Sequence, residues 1–252
     1  MGTQAFASLR GEQLAGVATV ALTGVTTEQM STLGSLQVAS MTVAQVRELT
    51  SDQVSAIRTV AMRGLSTGQV VALSSDVVAG LTTAQMRSLT SVQVSSFGTA
   101  AIAAIETEDI ATLTSVQLAG ISTVQASALG GQQMSAMNAT VVKVLRSQHI
   151  AALSSDAVAG MTSGQMALLG SAQIIGFETR DLVVLSSDQF TAIPALALKA
   201  LQTAAIRALT TDALSGLRTD QIRALSTIQI RALTSAGLGA ISTDTLRSLS
   251  SV

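Results

Sequence analysis

Apolar side chains recur along this chain at alternating offsets of five and three residues, so the pattern repeats every eight. Counted from Met1, the frame runs through 31 complete octads and a four-residue remainder, Leu249 to Val252, without an insertion. Position 1 of the octad is apolar in all 32 occurrences, and position 6 is apolar in all 31. Position 3 is Ser or Thr in 27 of 32, position 5 is most often Gln, and position 8 is usually Ala, Gly or Ser. A position 6 and the next position 1 lie three residues apart. Such a pair shares one face of a helix but points to opposite faces of a strand. The pattern therefore predicts one short helix per octad and argues against a β-solenoid.

The start of each helix is written in the polar positions. Ser or Thr at position 2 with Gln at position 5 has the spacing of a capping box, and positions 1 and 6 then stand where a hydrophobic staple would. Where position 2 is Gly, Arg or Glu, the position 3 hydroxyl is an alternative cap. The sequence does not choose between the two registers. Pro194, the only proline, stands at position 2, where a missing N–H is harmless. Of 15 acids, ten lie at position 4, and of 14 bases, nine lie at position 7. Acids at the start of a helix and bases at its end complement the helix dipole. Asp220 and Arg223, three apart, are a candidate surface pair.

A helix of about six residues does not persist alone, so it must pack on its neighbours. The predicted fold is an all-α solenoid of about 6-residue helices over residues 1–252, a single uninterrupted array with a core of positions 1 and 6. A weaker period of five octads overlies the single octad. Position 5 is apolar in the octads starting at Val17, Ile57, Phe97 and Met137, each five octads after the last. Leu73-Ser-Ser-Asp-Val-Val-Ala-Gly80 recurs ten octads on as Leu153-Ser-Ser-Asp-Ala-Val-Ala-Gly160. The expectation is that five octads, or two and a half, complete one superhelical turn.

Composition changes the picture mainly by exclusion. The chain has no cysteine, so disulfides and thiolate metal sites are out. Formal net charge is -1 with 12% charged residues, which gives no electrostatic footprint for nucleic acid. No stretch approaches the run of roughly 20 apolar residues that a membrane helix needs, so no membrane insertion is expected. Met1 to Arg10 does not read as a signal peptide.

Candidate chemistry is sparse. His149, the only histidine, stands in place of Gln at position 5 and is expected to be a solvent-facing substitute for a capping Gln. Asp109 and Asp181 also replace that Gln, the first beside Glu106 and Glu108, the second near Glu178. The expectation for both is a helix start, with weak cation binding as the alternative. No catalytic, cofactor-binding or metal residue is expected, and no enzyme. Ser and Thr columns raise ice binding as a minor alternative.

The runs Leu81-Thr82-Thr83-Ala84-Gln85 and Leu113-Thr-Ser-Val-Gln117 resemble arrays in very large bacterial surface or secreted, adhesin-like repeat proteins. The resemblance covers the whole chain and carries no site residues. It implies an extracellular or cell-surface role as a stalk, spacer or fibre segment. The alternative is a binding module offering a repetitive surface to protein, glycan or ice. Neither end of the array carries a polar capping octad, so a longer array or end-to-end stacking of the chain on itself is expected.

Overall fold

In the computed structural model, which describes residues 1–251, the octad becomes a helix of four to six residues followed by a tight turn. Octads are numbered here from Met1, so that octad 11 begins at Leu81. The first helix is Thr3–Ala7 and the thirty-first is Thr243–Arg247; one of them, Ala139–Val144 in octad 18, is a 3-10 helix. No strand occurs among the described residues, and none of their helices is long and apolar enough to cross a membrane.

The capping register is settled at position 2. The residue there has extended backbone and the helix begins at position 3, as at Thr42 before Val43–Arg47 and Ser66 before Thr67–Ala72. Pro194 takes the same place before Ala195–Leu198. Wherever position 2 is Ser or Thr, its hydroxyl accepts the backbone N–H of position 5, for example Gln45 N–H to Thr42 at 3.1 Å. Where position 2 is Arg10 or Gly34, the start stays at position 2; Gly11 offers no hydroxyl at position 3, and that of Ser35 donates to the Val60 carbonyl instead of capping. The position 5 Gln then keeps the box half-closed by accepting the position 2 N–H, at 2.8 Å in both octads.

The chain comprises two compact units, Met1–Ala128 and Leu129–Val252, with the boundary between octads. Within each, a helix packs on the helix three octads away. In the first unit Gly11–Ala15 lies on Ser35–Ser40, and Ser75–Ala79 on Thr99–Ala104. In the second, Ser187–Ala192 lies on Thr211–Ser215. The expectation of a five-octad or two-and-a-half-octad turn is therefore corrected, and the five-octad period is not the stacking distance. The physical reason is the width of the core. Three helical edges of about six to nine Å each enclose a space that Leu, Val and Ile side chains fill, whereas five would leave it hollow.

That core is made as the pattern predicts. Position 1 is buried from Leu33 through Ile241, and position 6 from Phe6 through Ile222. Position 8 lies against position 3 of the helix three octads earlier. A Cβ on Gly64 would collide with the carbonyl of Ser35, and one on Gly160 with the backbone of Gly131, which is why glycine recurs there. Charged side chains remain outside except at Asp109 and Asp181. Asp220 pairs with Arg218 at 3.0 Å rather than with the expected Arg223, and that hydrogen bond holds the Asp220 carboxyl below the usual carboxylate range.

Candidate functional site: a glutamine ladder and its interruptions

The position 5 glutamine does more than cap. Its Oε1 accepts the N–H of position 2 in its own octad, while its Nε2 donates backwards to carbonyls of the turn before. Gln85 shows the full set. Its Oε1 takes the Thr82 N–H at 2.9 Å, and its Nε2 reaches the carbonyls of Val54 at 2.8 Å, Ser55 at 3.1 Å and Ile57 at 2.7 Å. The same backward reach recurs at Gln45, Gln53, Gln69 and Gln93 in the first unit. It recurs at Gln165, Gln189, Gln221 and Gln229 in the second. Each of these glutamines is buried, Gln165 and Gln221 completely.

A primary amide suits this place because it is a neutral side chain with an acceptor on one atom and two donors on the other. Glutamate would match its shape but would set a carboxylate against carbonyl oxygens. Lysine or arginine would have no acceptor for the N-cap amide. None of the three occurs at position 5 anywhere in the chain.

All three singled-out residues sit at this position, and all three are interior. His149 is 1% exposed, not solvent-facing as expected. Its capping role holds, since Nδ1 accepts the Arg146 N–H at 3.1 Å. That bond places the ring proton on Nε2, which is buried and has no hydrogen-bond partner among the described residues. Burial, and then the nearby Arg146, lower the pKa of His149 below its usual 6.5.

Asp109 and Asp181 are buried to 3% and 0% exposure. The acidic neighbours do not converge with them: Glu106 and Glu108 face solvent while Asp109 turns inward and takes a hydrogen bond from Thr83. Among the described residues no group of three or more His, Cys, Asp or Glu could hold a metal ion. Burial pushes the Asp109 carboxyl above the ordinary carboxylate range, opposed by the Thr83 hydrogen bond and reinforced by Glu106 and Glu108. Asp181 is raised for the same first reason, against the Glu178 N–H, which its Oδ2 accepts at 2.9 Å, and the charge of Arg180. Its Oδ1 is buried with no hydrogen bond, the nearest cationic atom being Arg180 Nε at 3.5 Å.

Arginine covers part of what is lost where the amide is absent. In octad 8, whose position 5 is Ala61, Arg58 donates to the carbonyl of Leu33 at 3.2 Å, the atom a glutamine at 61 would have reached. In octad 23, Arg180 donates to Ala151 at 2.8 Å. Beside it lies an open groove of about 610 Å³, lined in part by Phe177, Glu178, Arg180, Gln202 and Ala205.

Sequence reasoning places the cap and misses the ladder. The signal is available, because a capping box takes Glu as readily as Gln and this chain uses only Gln.

A search among curated proteins finds no match. The ALTTAQ repeat family, by contrast, matches four stretches, residues 55–91, 102–139, 198–227 and 219–251, together just over half of the chain. Gly80-Leu81-Thr82-Thr83-Ala84-Gln85, inside the first stretch, differs from the family's title hexapeptide at one residue. In it Leu81 is core, Thr82 is the cap and Gln85 is the rung. The hexapeptide thus spells out a helix start and the residue that ties it to the preceding turn, and the chain belongs to the ALTTAQ repeat family.

Proposed function

We propose that this chain is a structural repeat module, an extracellular stalk, spacer or fibre segment of a bacterial surface, used in long arrays or in self-associated copies. The observation that supports this reading is the uniformity of the ladder. Octad after octad, the same amide ties its turn to the one before it at the same offset, as Gln85 does to Val54 and Ile57 and Gln221 to Phe190 and Ile193. Such an array gains length by identical steps and bears load through many equivalent contacts. The resemblance to large adhesin-like surface proteins supports the location.

The test varies repeat number. Chains with three octads deleted or duplicated, in frame, are measured by small-angle X-ray scattering. A spacer changes its maximum dimension by a constant increment per three octads; an unchanged dimension sinks the reading. Light scattering over a concentration series reports self-association.

A second reading, a binding module for protein, glycan or ice, draws on the exposed apolar side chains at position 4. Leu36 is 84% exposed and Val60, three octads on, is 65% exposed. Substituting both with Ser would abolish capture of such a ligand and leave a spacer's dimensions unchanged.

A further inference from the structure

We propose that Asp109 and Asp181 form ladder rungs that close only when their carboxyls carry a proton, so that octads 14 and 23 are firmer in mild acid than at neutral pH. Position 5 sets two requirements. A rung needs an acceptor toward its own N-cap and a donor toward the turn before it. The register of the ladder puts the carbonyls of Val78 and Leu81 before Asp109, and those of Ile150 and Leu153 before Asp181. A carboxylate is acceptor-only, whereas a carboxylic acid has one O–H to donate. The neutral acid therefore supplies an acceptor and a donor as the glutamine amide does, on a stem one methylene shorter, and the ionised form presents oxygen to oxygen in a buried place. Asp181 shows the half-made rung directly: Oδ2 is used by the Glu178 N–H, and Oδ1 is enclosed without a hydrogen bond, facing only Arg180 Nε at 3.5 Å, whereas Asp109 makes no bond to its N-cap and meets Thr83 instead.

The surroundings set the direction. Asp109 shares its octad with Glu106 and Glu108, both exposed, and meets Thr83 from the helix Thr83–Ser88. The one charged residue of that helix is Arg87, which is exposed. The neighbouring helix Ser75–Ala79 carries Asp76, exposed as well. Asp181 has Arg180 and Glu178 on its own octad. The helices packed on it, Ser155–Ala159 and Thr203–Arg207, contribute Asp156, whose carboxylate is occupied by the Gly131 N–H at 2.6 Å, and the exposed Arg207. Among the described residues the one cation against either buried acid is the half-exposed Arg180, whose pull on Asp181 is outweighed by burial, and the carboxyl pKa is raised at both. A carboxyl whose folded pKa lies above its unfolded value contributes most to stability below the unfolded value. That contribution fades as pH rises through the folded one.

Amide hydrogen exchange on the full chain between pH 4 and pH 8, with protection factors corrected for intrinsic rates, tests this. Protection in octads 14 and 23, and in octads 11 and 20 on which they stack, is expected to fall as pH rises. With one proton involved, the slope reaches at most about tenfold per pH unit. Protection around Gln45 and Gln53 stays level. The variants Asp109→Asn and Asp181→Asn keep the shape and a permanent donor, so their profiles are expected to be flat. A carboxyl-carbon NMR titration of the wild-type chain decides the matter even if a variant fails to fold. Titration of both aspartates at the ordinary carboxylate value, or wild-type protection as flat as that of the variants, overturns the proposal.

Discussion

The stretch before Leu129 and the stretch after it use the same octad but not the same rung. Position 5 is Gln in ten of the first sixteen octads and in six of the following fifteen. Four consecutive rungs run from Gln29 to Gln53 in the earlier stretch, and the later one has no run longer than a pair. In place of the amide the later stretch carries His149, Asp181, Thr245 and a set of buried alanines that includes Ala157, Ala197, Ala205 and Ala213. The apolar positions do not differ in this way, since positions 1 and 6 are buried in both. The lesson is that burial of Leu, Ile, Val and Met is enough to build the turn. The amide adds a second, directional tie between turns, and the chain can do without it at individual octads.

The contrast is broken most sharply at Gln85. Gln85→Ala removes four hydrogen bonds and leaves the carbonyl of Ile57 enclosed without its donor, while that of Val54 keeps only the Ile57 N–H at 3.0 Å. A loss of about 3 kcal/mol in urea unfolding is expected; a loss under about 1 kcal/mol would show that the rung is ornamental. Without any substitution, amides in the octads of Gln45, Gln53, Gln85 and Gln93 should exchange at least about tenfold more slowly than those of octads 25 to 27, a difference of about 1.4 kcal/mol in opening free energy. Equal protection would mean that packing alone sets local stability. Ala205→Gln runs the experiment in reverse. Ala205 borders the open groove beside Phe177, so an added amide has room to reach the carbonyls of Ile174 and Phe177. A gain of about 1 kcal/mol is expected, read as a higher urea midpoint.

His149→Gln tests the same point through pH. The histidine pKa is lowered in the fold, first by burial and then by Arg146. The unfolded chain therefore binds the proton more readily. The neutral ring's contribution is present above the unfolded value of 6.5 and is lost as pH falls through the lower folded value. The wild-type chain should lose stability on acidification from pH 7 more steeply than the variant, and parallel curves would refute the assignment of the ring. The smallest effect belongs to Leu36→Lys, on the exposed position 4. It should shift unfolding by less than about 0.5 kcal/mol, and a larger loss would mean that this face is covered.

Much of this architecture is legible from residue order. The helix per octad follows from the spacing of Leu81, Met86 and Leu89, and the cap from Thr82 and Gln85. Both depend on contacts within an octad or its neighbour, which a linear pattern displays. The stacking distance is not legible in the same way. The recurrence of Ala21, Ala61, Ala101 and Val141 at every fifth octad marks octads without a rung, not octads that touch. The interior placement of His149, Asp109 and Asp181 is hidden for a related reason. Burial at position 5 comes from chain more than three octads back, and polarity alone argues for solvent.

The ladder also has a sense of time. Glutamine at position 5 reaches only toward residues already behind it, as Gln45 does to Leu14 and Val17 and Gln221 to Phe190 and Ile193. A segment leaving a ribosome amino end first therefore meets acceptors that are already in place. Each new turn can dock once its own glutamine has emerged, without waiting for anything downstream. Contacts this local favour fast, sequential assembly. Lengthening the array would add to the time of its completion in proportion, not to the difficulty of any single step.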